Sequence, residues 1–231
     1  MSTKLSTGVR QSWFVWVTAG EFLGFLAPAL AGALSSPSPL LVAAGVVEGA
    51  VLGAAQCVVL RRAVPGLRAA EWIAVTALAA GFAWAIALLA VHYSEPLGTL
   101  PAAVLFPVAA VAGMGVLLSI GVGQWFVLRQ HVPDPSRWVW ATALAWCAGL
   151  IVFTLVTTPL WRPGQPTVLV ALIGALGGLL MAATMAAITG SALVRLLGGN
   201  GSARVSGGPN GVTVSHGRRH RRRTADRGRL R

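Results

Sequence analysis

The chain has 231 residues, of which 55% are hydrophobic and only 10% charged, with a formal net charge of +12. Soluble domains carry about a quarter charged residues, so a water-soluble globule is excluded and a membrane-embedded chain is indicated. The basic excess is local: nine of the arginines follow residue 200, so +12 describes a tail rather than a nucleic-acid-binding body.

A bilayer core of about 30 Å needs roughly 20 apolar residues per helix, and six such segments can be marked at 12–33, 40–60, 71–93, 102–128, 138–160 and 167–195. The first begins behind Lys4 and Arg10 and ends in Ala29-Leu30-Ala31-Gly32-Ala33, which resembles a signal cleavage site. Its length, Glu21 and the pair Trp16-x-Thr18, spaced like Trp140-x-Thr142, make it a first span instead. The connections are short. Ser35 to Pro39, His92 to Pro96 and Arg162 to Pro166 carry turn residues on one side, and Arg61 to Glu71 and Arg129 to Arg137 form the other.

Arginine placement orients the spans. Lys4, Arg10, Arg61, Arg62, Arg68, Arg129, Arg137, Arg195 and the tail arginines fall on one side, against Arg162 alone on the other. The positive-inside rule then puts both termini in the cytoplasm of a multi-pass plasma-membrane protein.

Within this frame one pattern recurs. Gly45, Gly53, Gln56, Val59-Leu60-Arg61 and Val64-Pro65 match Gly113, Gly121, Gln124, Val127-Leu128-Arg129 and Val132-Pro133 at an offset of 68, and Trp72 and Thr76 to Ala79 match Trp138 and Thr142 to Ala145 at 66. Gly190 and Arg195 follow Gln124 and Arg129 by 66. The expected fold is all-α: a polytopic transmembrane helical bundle of six spans built as three tandem two-helix repeats related by rotation about the membrane normal. Residues 1–11 form a cytoplasmic segment, 12–197 the membrane domain, and 198–231 a disordered Gly/Ser-then-Arg-rich cytoplasmic tail.

Close packing in lipid relies on small residues, and three return helices carry them at four-residue spacing: Gly45, Gly49 and Gly53; Gly115, Ser119 and Gly123; and Gly174, Gly178, Ala182, Ala186 and Gly190. Such faces would also suit a homo-oligomer. Trp72, Trp138, Trp140 and Trp161 sit near segment ends, as interface anchors do. Pro28 and Pro107 fall within spans, where neighbouring groups must satisfy the freed carbonyl. Cys57 and Cys147 lie in apolar segments and read as small buried hydrophobes.

Ionisable groups inside lipid are candidates for function, and there are two, Glu21 and Glu48. Glu21 lies about 16 Å of helix beyond Arg10 and Glu48 about 20 Å before Arg61, so both fall near the midplane on adjacent antiparallel helices. Two carboxyls there do not both stay ionised. One reading is a proton or cation relay; the other is a neutral Glu bonded to a carbonyl or to Thr18. Gln56 and Gln124 lie about 7 Å inside Arg61 and Arg129, placed to bridge helices or to line a pore. Thr18, Thr76 and Thr142 are expected to bond back to their own helices.

In the tail, Arg218, Arg219, Arg221, Arg222 and Arg223 would meet anionic lipid headgroups. No aromatic residue follows Trp161, so nucleic-acid binding could draw only on phosphate. His216 and His220 are not read as a metal site, and no cofactor is expected. No nucleophile elbow, metalloprotease helix, phosphate loop or dinucleotide fingerprint is present, which argues against an enzyme.

Gly121-x-x-Gln124-Trp125-x-Val127-Leu128-Arg129 followed by Trp138-x-x-Ala141-Thr142-Ala143-Leu144-Ala145, with Ala187 to Arg195 near the end, resembles a group of uncharacterised bacterial multi-span proteins. The similarity covers spans two to six. It implies the same membrane fold and no assigned activity, and the chain departs from the pattern with Cys57 in place of a tryptophan and with its arginine tail. Three readings follow: a non-enzymatic helical bundle, a proton- or cation-coupled transporter using Glu21 and Glu48, and a membrane anchor presenting the basic tail. Epitope tags at either end should be reachable by antibody only after the membrane is permeabilised; access in intact cells would reverse the orientation.

Overall fold

The computed structural model describes residues 3–34 and 37–205. Six long helices run in chain order, α1 (Thr3–Ala33), α2 (Ser38–Ala63), α3 (Ala69–His92), α5 (Ala102–Leu128), α6 (Ser136–Leu160) and α7 (Thr167–Val205), with a five-residue helix α4 (Ser94–Gly98) between α3 and α5. There is no strand among the described residues. Each long helix contains a stretch apolar and long enough to cross a membrane, and even α3, at 24 residues, spans about 36 Å.

Prolines and two glycines set the helix boundaries. Pro37, Pro101 and Pro166 stand immediately before α2, α5 and α7, and Pro39 occupies the first turn of α2, where its missing N–H costs nothing. Between α2 and α3, Gly66 takes a φ of +83°, and Gly164 takes +80° between α6 and α7. Only glycine adopts such a backbone without a Cβ penalty, which lets these short connections reverse the chain.

Two helices outrun their expected ends. α1 begins at Thr3, since no proline precedes Trp13, and partly buried Val9 packs on the core. α7 continues past Arg195 to Val205, through the first residues of the expected linker. No proline intervenes between Thr167 and Pro209 to stop it, and Leu196 is buried. The turn expected after His92 contains α4, with Pro96 inside it.

The six long helices close into a ring. α1 packs on α2, α2 on α3, α3 on α5, α5 on α6 and α6 on α7, and α7 returns to α1. Glycines permit the close approaches. Gly20 and Gly24 of α1 lie against Ala55 and the Glu48 backbone of α2; Gly49 of α2 lies against the backbone of Thr76 and Ala77; Gly53 meets Ile73 and Thr76 of α3. Sixty-eight residues after Gly53, Gly121 meets Val139 and Thr142 of α6, themselves sixty-six after Ile73 and Thr76. The same contact is thus made at two seams.

The small-residue stripes are used inside the chain. Those of α2 and α7 seal contacts to α3 and α1, where Ala182 and Ala186 are fully buried and Gly190 sits under Trp13. The stripe of α5 is not their equivalent: Gly115 and Gly123 face α3, its own hairpin partner, while the seam to α6 is made by Gly121. These faces therefore offer no support for a homo-oligomer. The outward surfaces carry Phe106, Val111, Leu155 and Val168, all more than two-thirds exposed, as suits contact with lipid chains.

The seams differ at the end away from the arginines. Gly45 is covered by the Trp84 indole, whereas Gly113, its counterpart at an offset of 68, has nothing within 4 Å of where a Cβ would lie. Gly45→Ala should therefore lower the thermal midpoint of the detergent-solubilised protein, by the equivalent of about 1–3 kcal/mol of overpacking. Gly113→Ala should leave it unchanged or raise it by about 0.5–1 kcal/mol through helix propensity. Equal shifts in the two variants would contradict this packing.

Candidate functional site

At the arginine end the ring is filled by a core that includes Leu60, Leu128 and Leu193, and at its centre are Trp13, Trp72 and Trp138, each no more than 1% exposed. Trp138 lies edge-on to Trp13 with centroids 5.7 Å apart and is tilted against Trp72 at 6.2 Å. Trp72 and Trp138 are thus not interface anchors. An indole at the end of an apolar run has the same sequence signature whether it faces headgroups or the bundle axis. Trp140 and Trp161 are 66% and 42% exposed and remain on the surface.

A buried indole N–H needs an acceptor, and each of the three finds one on the neighbouring hairpin. Trp72 Nε1 donates to Gln56 Oε1 at 2.8 Å, Trp138 Nε1 to Gln124 Oε1 at 2.7 Å, and Trp13 Nε1 to Thr189 Oγ1 at 2.9 Å. Because an indole can only donate, these bonds fix the orientation of both amides. Gln124 Nε2 then donates to Gln56 Oε1 at 2.8 Å and to Thr76 Oγ1 at 3.1 Å. Gln56 and Gln124 bridge helices; surrounded by this core, they do not line a pore.

At Trp13 the girdle bonds pair residues at spacings different from those the sequence matches suggest. Trp13 is bonded as Trp72 and Trp138 are, where the match of Trp16-x-Thr18 to Trp140-x-Thr142 would place Phe14, and Thr189 accepts where the other two pairs have glutamine and the offset of 66 would place Gly190. Thr76 bonds back to the Trp72 carbonyl as expected, at 2.7 Å, but Thr18 Oγ1 and Thr142 Oγ1 are buried without a partner.

Beyond the girdle, in the half of the ring away from the arginines, lies a cavity of about 270 Å³ to which all six long helices contribute. Glu21 and Phe25 reach it from α1; Glu48, Gly49 and Leu52 from α2; Ala80, Ala83, Trp84 and Ala87 from α3. Val116 and Ile120 come from α5, Trp146, Leu150 and Phe153 from α6, and Gly178 and Met181 from α7. Counted from the girdle residues, the lining falls at equal spacings. Glu21, Ala80 and Trp146 each follow their girdle tryptophan by eight residues, and Phe25, Trp84 and Leu150 by twelve. Glu48, Val116 and Met181 each precede the girdle acceptor by eight. All three helix pairs thus reach the cavity at the same spacings from the girdle.

Glu21 and Glu48 are brought together on its wall, 5% and 7% exposed. Gly24 makes this possible, since a Cβ there would press on the Glu48 backbone. Glu48 Oε2 accepts from Trp84 Nε1 at 2.7 Å, a partner other than the carbonyl or Thr18 expected for a neutral Glu. Glu21 Oε2 is buried with no hydrogen-bond partner. A carboxyl so placed is costly in lipid unless neutralised by a proton or by a cation beside it.

Cys57 is buried and Cys147 half-buried, both as free thiols, and Cys57 Sγ lies 3.7 Å from the Ala69 carbonyl. Among the described residues no group of three or more His, Cys, Asp or Glu could hold a metal. Arg218, Arg219, Arg221, Arg222, Arg223, His216 and His220 lie outside the described residues. No family model, curated protein or solved structure matches the chain.

Trp138→Phe keeps most of the ring volume but leaves Gln124 Oε1 without its indole donor, and should destabilise the detergent-solubilised protein by about 1–3 kcal/mol. Trp140→Phe, on the outer surface, should stay within about 0.5 kcal/mol. Similar thermal midpoints for the two would remove the girdle's claim to hold the ring.

Proposed function

We propose that the chain is a multi-pass plasma-membrane protein with cytoplasmic termini, built from three hairpins, that binds a small solute in its central cavity and moves it across the bilayer by exchange against a proton or cation held by Glu21 and Glu48. The observation that carries this reading is the convergence of both intramembrane carboxyls on one cavity reached by all six spans. Buried carboxyls that only hold helices together have no need of a cavity. A lined volume with few polar groups and two titratable ones is the ordinary form of a ligand site.

The girdle gives the cavity a floor. In this conformation the arginine side is sealed by Trp13, Trp72 and Trp138 with their amide and hydroxyl acceptors, which supports a carrier closed towards the cytoplasm rather than an open channel. Two features favour transport over a purely structural bundle: Glu21 Oε2 lacks a partner, and neither carboxyl position is repeated in the other hairpins. A scaffold that needed a carboxyl for packing would be expected to repeat it.

Reconstituted into liposomes, the protein should dissipate an imposed proton or sodium gradient when its solute is supplied. Glu21→Gln and Glu48→Gln should each slow that flux at least tenfold while eluting as the wild type does on size exclusion. Hydrophobic carbodiimide should label the wild type and leave the double variant unlabelled. Flux indifferent to both substitutions, or carboxyls that never react, would refute the assignment.

A further inference from the structure

The two walls of the cavity differ. Glu21 and Glu48 lie on α1 and α2, the first hairpin; at the position on α6 that corresponds to Glu21 stands Trp146, with Phe153 two turns further along. None of the cavity residues from α3, α5, α6 or α7 is titratable or charged, so the carboxyls face the Trp84 N–H and otherwise apolar and aromatic surface. Several solute classes fit this poorly. An anion meets two carboxyls and no basic group. A divalent metal ion takes about six oxygen ligands, and the lining supplies no side-chain oxygen apart from the two carboxyls. A sugar needs many directed donors and acceptors, which this wall lacks. A cation with an apolar body matches both walls at once, because aromatic rings attract organic cations as well as apolar groups.

We infer that the cavity binds a small organic monocation, an amine or quaternary ammonium carrying one aromatic or compact aliphatic group, with its charge beside Glu21 and Glu48 and its body against Trp146 and Phe153. The inference rests on the transport reading for the cavity's being a solute site, and it names the solute class. Glu21 Oε2, buried and unpartnered, supplies the free acceptor, whereas Glu48 Oε2 is already engaged by Trp84. The volume of about 270 Å³ limits the solute to about one ring and a short head.

The probe is radiolabelled benzyltrimethylammonium, a permanent cation, added to the full-length protein in detergent. Saturable binding is expected, with affinity reduced tenfold or more by Glu21→Gln and by Trp146→Ala, and largely retained in Trp146→Phe, which keeps an aromatic face and controls for misfolding. Unlabelled benzenesulfonate, of opposite charge, should not displace it. Absence of saturable binding, binding unaffected by Glu21→Gln, or displacement by benzenesulfonate would each overturn the inference. Glutamate-dependent proton or sodium flux that benzyltrimethylammonium neither drives nor inhibits would also overturn it while leaving the transport reading standing. Loss of flux and binding together in a folded wild type would remove both.

Discussion

Three indole N–H groups inside an apolar ring must each find an acceptor, and that requirement organises the arginine end of the molecule. In hydrocarbon an unpaired N–H costs several kcal/mol, so a tryptophan on the axis of a helical ring commits the neighbouring helix to present an oxygen. Here the acceptor always lies on the preceding hairpin, taken cyclically: Gln56 for Trp72, Gln124 for Trp138 and Thr189 for Trp13. The last of these joins α1 to α7 and closes the ring. Because each hairpin lends its neighbour an oxygen, the bonds tie the units together rather than stiffening any one of them. The third acceptor is itself a compromise. Thr189 also donates to the Met185 carbonyl, so it carries one partner across the seam and one along its own helix.

The three helix pairs share part of their packing but not their chemistry. Corresponding positions reach the cavity from every hairpin, yet only the first puts carboxyls there; the others place Ala80 and Trp146, Val116 and Met181. The packing needs small residues at fixed levels, as the matching contacts of Gly53 and Gly121 show. It does not account for the charges. Both ionisable groups of the cavity lining come from one helix pair, which gives the cavity a polarity that the packing does not require.

Much of the fold is legible in the residues, because membrane spans are announced by long apolar runs. The helices begin or end within a few residues of the expected limits, except where α1 and α7 run on through stretches without proline. Gln56 and Gln124 are also legible, since a polar amide just inside an arginine needs a helical partner. The tryptophans were not. Their position near segment ends fits both an aromatic belt and an axial girdle, and only a partner across the ring separates the two. Depth along a helix follows from counting residues, and so it placed Glu21 and Glu48 at one level. Azimuth does not. A helix apolar on nearly all sides gives no periodic signal for which face turns inward, so the convergence of the carboxyls with Trp146 and Phe153 could not be read from spacing. For the same reason the Trp16-x-Thr18 spacing does not reveal that Trp13 is the indole bonded across the ring.

On the transport reading, the girdle beside the cavity also bears on how the ring changes shape. Within the aliphatic core of the arginine end, the polar links between hairpins are directed bonds from only a few side chains, each worth about 1 kcal/mol net. Bonds of this kind can be exchanged for others with little net cost, because an amide turned away from one indole meets the hydroxyl or amide of the next helix. Gln124 already shares its Nε2 hydrogens between Gln56 and Thr76, two helices with which it has no other hydrogen bond among those described. The glycine contacts are less forgiving, since backbone pressed on backbone admits sliding or rotation but not insertion. Relative movement of hairpins as rigid pairs, with the girdle bonds changing partners at the seams, is the motion that this division of labour leaves open.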